Sequence, residues 1–172
     1  MNTKVKMILV AGALALSACT NPAGLGGGGV TDGTAGAGTG GVIPGSVSDP
    51  TSVAYFQQAV GDRVLFVVDQ STLTDQGRTI LDGQAQWLIT NTDYTAVIEG
   101  HADEQGTTAY NLALGARRAD AARSYLISKG ISGARLKVVS YGKERPAEVC
   151  SDEACYAKNR RAVTVLAGGL TG

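Results

Sequence analysis

Apolar positions divide the chain into a short leading run and a periodic region that begins near Val53. The leading run, Met7 to Leu16, follows Lys4 and Lys6 and is too short to cross a bilayer, which takes about 20 apolar residues. Arg63 to Val68 is nearly continuous in apolar side chains and predicts a buried strand. Leu81, Ala85 and Leu88 recur at helical spacing, flanked by Ile80 and Trp87. Thr74 offers an N-cap hydroxyl and Asp75 an acid for the first turn, so a helix is predicted from there to about Asn91. Tyr94 to Gly100 predicts a second strand, with Val97 and Ile98 as its apolar pair. A second helix is predicted from about Thr108 to Lys129, stopped by Gly130. Its small residues Gly115, Ala119 and Ala122 fall on one face with Leu126, a face suited to close packing on a sheet. Leu136 to Tyr141 and Ala162 to Leu166 predict two further strands, with Val163 and Val165 on one side of the last. The order β-α-β-α-β-β indicates an α/β (α+β) sandwich, helices on one face of a mixed sheet.

Composition changes the picture at the N-terminal end. Of 24 glycines in 172 residues, eleven lie between Gly24 and Gly45, including four in a row from Gly26 to Gly29. Residues 20–61 contain only two charged side chains, Asp32 and Asp49, and almost no large apolar group before Val53. Such a stretch cannot bury enough apolar surface to offset its ordering entropy, so it reads as a linker. A phosphate-cradling loop is excluded by the missing Gly-Lys-Ser/Thr and the missing strand-to-helix context. Fifteen basic and fifteen acidic side chains give a formal charge of zero, which argues against a nucleic-acid binder. A single histidine argues against a multi-histidine metal site, and no cofactor is implied.

The leading run with its positive start and small-residue end has the pattern of a secretory signal. It closes on Leu16-Ser17-Ala18-Cys19, which resembles the lipobox of bacterial lipoproteins. An ordinary signal peptide with an incidental cysteine is the alternative. The resemblance implies cleavage before Cys19 and lipid on its sulfur and new amino group. Several acyl chains make such an anchor durable. Thr20 after the cysteine, in place of Asp, favours the outer membrane. The resulting plan is a signal over residues 1–18, lipidated Cys19 with a flexible linker to residue 52, a domain over 53–167 and a tail over 168–172. Cleavage removes Lys4 and Lys6 and no acid, leaving 13 basic and 15 acidic residues.

Four motifs recur in one order: Glu99-Gly100-His101-Ala102-Asp103-Glu104-Gln105-Gly106-Thr107; Asn111-Leu112-Ala113-Leu114-Gly115-Ala116-Arg117-Arg118-Ala119; Ser140-Tyr141-Gly142-Lys143-Glu144-Arg145-Pro146; and Asn159-Arg160-Arg161-Ala162-Val163. Together they resemble the OmpA-like peptidoglycan-binding domain, over about Val64 to Leu166. The resemblance implies binding of peptidoglycan through meso-diaminopimelate, whose side-chain end carries an ammonium and a carboxylate on one carbon. It assigns Asp103 and Arg118 as the principal ligands. The residue types suit the task, since a guanidinium grips a carboxylate bidentately and an aspartate accepts from an ammonium. A plain structural ion pair is the alternative. Both variants Asp103→Ala and Arg118→Ala are expected to lose cell-wall binding while staying folded.

Further positions follow from the same resemblance. Asn111 holds the loop or the ligand backbone. Phe66 matches the aromatic of a strand-one motif that usually reads Phe-Asp-x-Asp; Asp69 matches its second acid, while Val67 replaces the first. Arg161 approaches from the start of the last strand, or is an exposed loop-end arginine. Gly115 stands where relatives often have serine, and Arg117 is off register and solvent-facing.

No enzymatic activity is expected. His101 has no nucleophile motif near it and reads as a packing and hydrogen-bonding residue. Asp103 and Glu104 are neighbours on one loop, not two carboxyls across a scissile bond. Cys150 and Cys155 read as a loop disulfide in an oxidising periplasm, worth about 2 kcal/mol, because a zinc half-site would lack its second pair of ligands. The lipid-anchored members of the family imply TolB and TolA as partners, beside peptidoglycan and the outer membrane. Service in another envelope machine, such as a secretion system, is the competing role.

Overall fold

A computed structural model of the protein describes residues 42–149 and 151–168. The signal segment, Cys19, most of the glycine-rich stretch, Cys150 and the last four residues lie outside the described residues.

Four strands form one mixed sheet in the order β1-β4-β2-β3. They are β1 (Arg63–Leu65), β2 (Tyr94–His101), β3 (Leu136–Gly142) and β4 (Arg161–Gly168). β4 runs antiparallel to both β1 and β2, while β2 and β3 are parallel. The helices are a short α1 (Val53–Tyr55), α2 (Asp75–Thr90), α3 (Thr108–Ser128) and α4 (Glu153–Asn159). This is the α+β arrangement expected from the sequence. α1 continues into a π-helical Phe56–Gly61, and neither this helical entry nor α4 is legible in the hydrophobic pattern.

Side-chain alternation sets the faces. Ala96, Ile98 and Ala162 turn inward with Val64 and Phe66, and meet Leu81, Ala85 and Leu88 of α2 and Ala119, Ala122 and Leu126 of α3. Val97 is only half-buried, opposite Ile98, so the two are not a pair on one face. Val165 likewise lies on the open face, 40% exposed.

The run Arg63 to Val68 is shorter as a strand than its composition predicts. Only Val64 and Phe66 enter the core, and Val67 and Val68 are 49% and 46% exposed. The chain leaves the sheet after Leu65, the Phe66 N–H donates to Arg160 O, and a turn closes from Gln70 N–H to Val67 O. Asp69 within it takes a left-handed φ of 56°, a conformation uncommon outside glycine.

Both long helices start near the predicted positions: the Thr74 hydroxyl accepts from Gly77 N–H as expected, and the Thr107 hydroxyl, not singled out in the sequence, accepts from Tyr110 N–H. The end of α2 is capped from afar. Arg135 donates to the carbonyls of Leu88 and Asn91, groups otherwise orphaned at a helix terminus, and to that of Tyr94 at the start of β2.

Residues 43–52, assigned by composition to the linker, form hydrogen-bonded turns seated on the domain. Trp87 Nε1 donates to Pro50 O at 2.7 Å, Tyr94 OH donates to Thr51 O, and Ser52 is buried. Trp87 stacks obliquely between Phe56 and Tyr94, with ring centroids 4.9 and 5.0 Å away.

Candidate functional site

The site is built where β2 hands the chain to α3, and its geometry depends on how closely those two elements approach. Gly100 and Gly115 face each other with no side chain between them: a Cβ on Gly100 would lie 1.8 Å from Gly115 O. A Cβ on Gly115 would meet Ser140 Oγ at 2.5 Å and Gly100 O at 2.8 Å. Glycine at 115 is therefore demanded by this packing. Ser140 Oγ fills the adjoining space and donates to Leu112 O at 2.6 Å.

This approach carries Arg118 directly beneath the β2 end. Its side chain is fully buried and donates to three backbone carbonyls: Nε to Gln70 O (2.8 Å), Nη1 to His101 O (2.9 Å) and Nη2 to Val67 O (3.2 Å). Its guanidinium lies 5.3 Å from the centre of the Phe66 ring, a cation–π seat. Burial pulls the Arg118 pKa down to about 10, partly countered by the nearby Asp103, so it remains cationic at neutral pH. A guanidinium has five N–H groups, so one on each terminal nitrogen is left without a protein acceptor among the described residues. The Val67–Gln70 turn covers it, so in this structure Arg118 supports the site floor through these three carbonyls. Arg118→Ala is therefore expected to lose fold stability as well as binding, whereas the sequence reading expected it to stay folded.

Asp103 lies beside it and is 7% exposed. Its Oδ1 accepts from Gln105 N–H and its Oδ2 from Arg160 Nη1 at 3.1 Å. The direct ionic partner of Asp103 is thus Arg160, which the sequence reading did not nominate. The nominated Arg161 points elsewhere: it donates to Asn159 O and Arg145 O, its charge disfavoured by burial and by Arg63. Arg160 and Arg161 are adjacent at the strand entrance, so their side chains take opposite faces, and only the topology says which face holds the site.

A cleft of ≈ 240 Å³ opens over Asp103, lined by Val68, Asp69, Gln105, Gly106, Tyr110, Asn111 and Leu114. Asp69 and Asn111 reach it as proposed from sequence. Asp69 accepts a hydrogen bond from the Tyr110 hydroxyl, which holds that hydroxyl protonated beyond its ordinary range. Asn111 is buried and donates to Gln105 O at 2.8 Å, so it fixes the loop. Phe66 does not line the cleft; it lies beneath Arg118. Arg117 is exposed, as expected.

His101 is 2% exposed, and neither ring nitrogen has a hydrogen-bond partner among the described residues. It packs as expected, against Tyr141 at 5.6 Å, and its polar neighbours are the Arg145 backbone and Glu99, which approaches Nε2 to 3.7 Å. Burial, with Arg161 nearby, lowers its pKa from 6.5 to about 4. Between those values the unfolded chain holds more protons than the folded one. The stability that neutral His101 contributes is complete above pH 6.5 and is lost as the pH falls toward 4, by up to about 3 kcal/mol. Urea unfolding at pH 7 and pH 4.5 should show a wild-type-minus-His101→Gln difference that shrinks at the lower pH; a constant difference would contradict the assignment.

Cys155, on α4, is disulfide-bonded, and the partner nominated from sequence, Cys150, lies outside the described residues. The described residues contain no helix long and apolar enough to cross a membrane.

A mixed sheet covered by two helices, with a polar loop joining β2 to α3 above a buried arginine, defines a member of the OmpA family. Residues 65–160 match that family's model, and the chain belongs to it. Within the family it is similar to the peptidoglycan-associated lipoprotein of Mesorhizobium japonicum, 49% identical over 164 residues that cover 95% of this chain and 89% of the relative. The peptidoglycan-associated lipoprotein of Haemophilus influenzae is 42% identical, over 95% of this chain and 98% of the relative. Among solved structures, the crystal structure of the peptidoglycan-associated lipoprotein from Burkholderia pseudomallei superposes with a TM-score of 0.62 at 38% identity, over 70% of this chain and 98% of that one.

Proposed function

We propose that this protein is a non-enzymatic tether: a lipoprotein of the outer membrane, anchored through Cys19, whose folded domain holds peptidoglycan in the periplasm. The observation that carries this reading is an acid lining a cleft, Asp103, beside a buried cation with uncommitted donors, Arg118, in a chain closely similar to proteins named for peptidoglycan association. The ligand is the meso-diaminopimelate end of the stem peptide. Its ammonium is taken by Asp103 from the cleft. Its carboxylate is taken by the two remaining N–H groups of Arg118, which requires the Val67–Gln70 turn to shift.

The domain's polarity suits a tether. The chain enters at Pro50 and Thr51, against Trp87 and Tyr94 at the start of β2, whereas the cleft lies past its end. Eight strand residues separate the two by about 23 Å, so the anchor and wall sides are at opposite ends of β2. The glycine-rich segment between Cys19 and the domain keeps the site at high effective concentration near the wall. Partners are TolB and TolA within the Tol–Pal system, with roles in envelope integrity and division. Co-purification with TolB separates this role from service in another envelope machine.

Asp103→Asn tests the wall reading with the least disturbance, since it keeps shape and one acceptor while removing the charge. Binding to isolated sacculi should fall at least about tenfold, because a charged partner is lost from a nearly buried site. Undiminished sedimentation of a folded Asp103→Asn protein with sacculi would defeat the site assignment.

A further inference from the structure

Behind Asp103 the structure holds a second carboxylate that competes for the same arginine. Arg160 is 4% exposed and is divided among three acceptors. Nε donates to Phe66 O at 3.3 Å, Nη1 to Asp103 Oδ2 at 3.1 Å and also toward Glu153 Oε2 at 3.4 Å, and Nη2 to Glu153 Oε1. Burial opposes the Arg160 charge, but Glu153 and Asp103 more than offset it and raise its pKa. Glu153 comes from the first turn of α4 and its side chain is 65% exposed, so it forms this pair without giving up most of its water.

A guanidinium facing one carboxylate in a dry site closes on it bidentately. Were Arg160 to do so, Asp103 would be neutralised and both its oxygens occupied. Glu153 prevents that closure by occupying the fork of Arg160, leaving Asp103 one contact from Nη1. Asp103, Glu153 and Arg160 together then carry one net negative charge, which a ligand ammonium completes. The next contact on the same helix face works in the same direction. Tyr156, three residues after Glu153, donates to Glu104 Oε1 at 2.9 Å, and Glu104 does not line the cleft. Of the two adjacent acids, Glu104 is held toward α4 and Asp103 faces the cleft, whose other carboxylate, Asp69, is engaged by the Tyr110 hydroxyl.

We propose that Glu153 is a positioning residue for ammonium recognition: it holds Arg160 away from Asp103 and thereby sets how strongly the site takes an amine. The inference rests on the wall-binding reading above, and it gives α4, an element absent from the hydrophobic pattern, a part in specificity.

The test is titration calorimetry on the full-length protein in detergent, with an Ala-Glu-diaminopimelate tripeptide and the same peptide acetylated on its side-chain amine. Glu153→Gln should weaken the free-amine peptide by roughly two- to fivefold, the range for a partly exposed ion pair. Glu153→Asp should recover at least half of that loss, and the acetylated peptide should show no loss. Equal loss with both peptides, no loss with either, or no recovery with Asp would overturn the inference while leaving the wall reading in place. Wild-type protein that binds neither the free-amine peptide nor sacculi would overturn both.

Discussion

Gly100→Ala should leave the domain unfolded or close to it at 25 °C. The added methyl would sit 1.8 Å from Gly115 O and 2.5 Å from Gly115 C, both backbone atoms that no rotamer change can move. Relief requires α3 to lift from β2, which opens the packing of Ala119, Ala122 and Leu126 against Ile98. Overpacking ordinarily costs about 1–3 kcal/mol where side chains can yield. Here the obstruction is main chain, so a cost above about 4 kcal/mol is expected, against a typical total of about 5–15. Gly83→Ala provides the contrast. Its Cβ would meet only Val60 Cγ1 at an ordinary 3.5 Å within α2, and a helix-interior glycine gives way to alanine with a gain of about 0.5–1 kcal/mol. Urea denaturation followed by far-ultraviolet circular dichroism measures both. A cooperative, wild-type-like transition for Gly100→Ala would mean that the α3–β2 contact is looser than these distances require.

Arg118→Lys should separate two roles that one side chain combines. Lysine keeps the positive charge but cannot bridge the carbonyls of Gln70, His101 and Val67 from a single planar fork. Losing two of three such bonds inside the protein, with the Phe66 stack, is expected to destabilise by about 2–4 kcal/mol. Wall binding should fall by more than about tenfold even at temperatures where the variant remains folded, since a point charge offers no bidentate grip on a carboxylate. Arg118→Ala should be worse, about 3–5 kcal/mol, because it leaves all three carbonyls and Asp103 without this cation. The measurement is sacculus sedimentation at 10 °C paired with an unfolding curve for each variant. Full binding by folded Arg118→Lys would restrict Arg118 to a structural role.

Asp103, Asn111 and Asp69, nominated through the resemblance of the ordered motifs, come from three separate stretches of sequence and line one cleft. Arg161 was chosen over Arg160 because two adjacent arginines at a strand entrance look alike in sequence. The face each takes is set by the register of β4 between β1 and β2, with Leu65 opposite Arg161 and Gly100 opposite Ala162. Glu153 and Tyr156 carried no signal of their own. α4 spans only seven residues, too short for an apolar stripe, and its partners Arg160 and Glu104 lie in other segments.

By itself the sequence determined what local chemistry determines. Thr74 starts a helix because its hydroxyl caps a nearby amide, and small residues at helical spacing mark the face of α3 that meets the sheet. Eleven glycines between Gly24 and Gly45 carry the expectation of a linker. Only the tertiary structure decided that Gly115 must be glycine, that Arg118 is a covered support, and that Arg160 is shared between Asp103 and Glu153. Each of these is a contact between segments far apart in the chain, where angstrom-scale distance and exclusion of water, not residue type, set the energy.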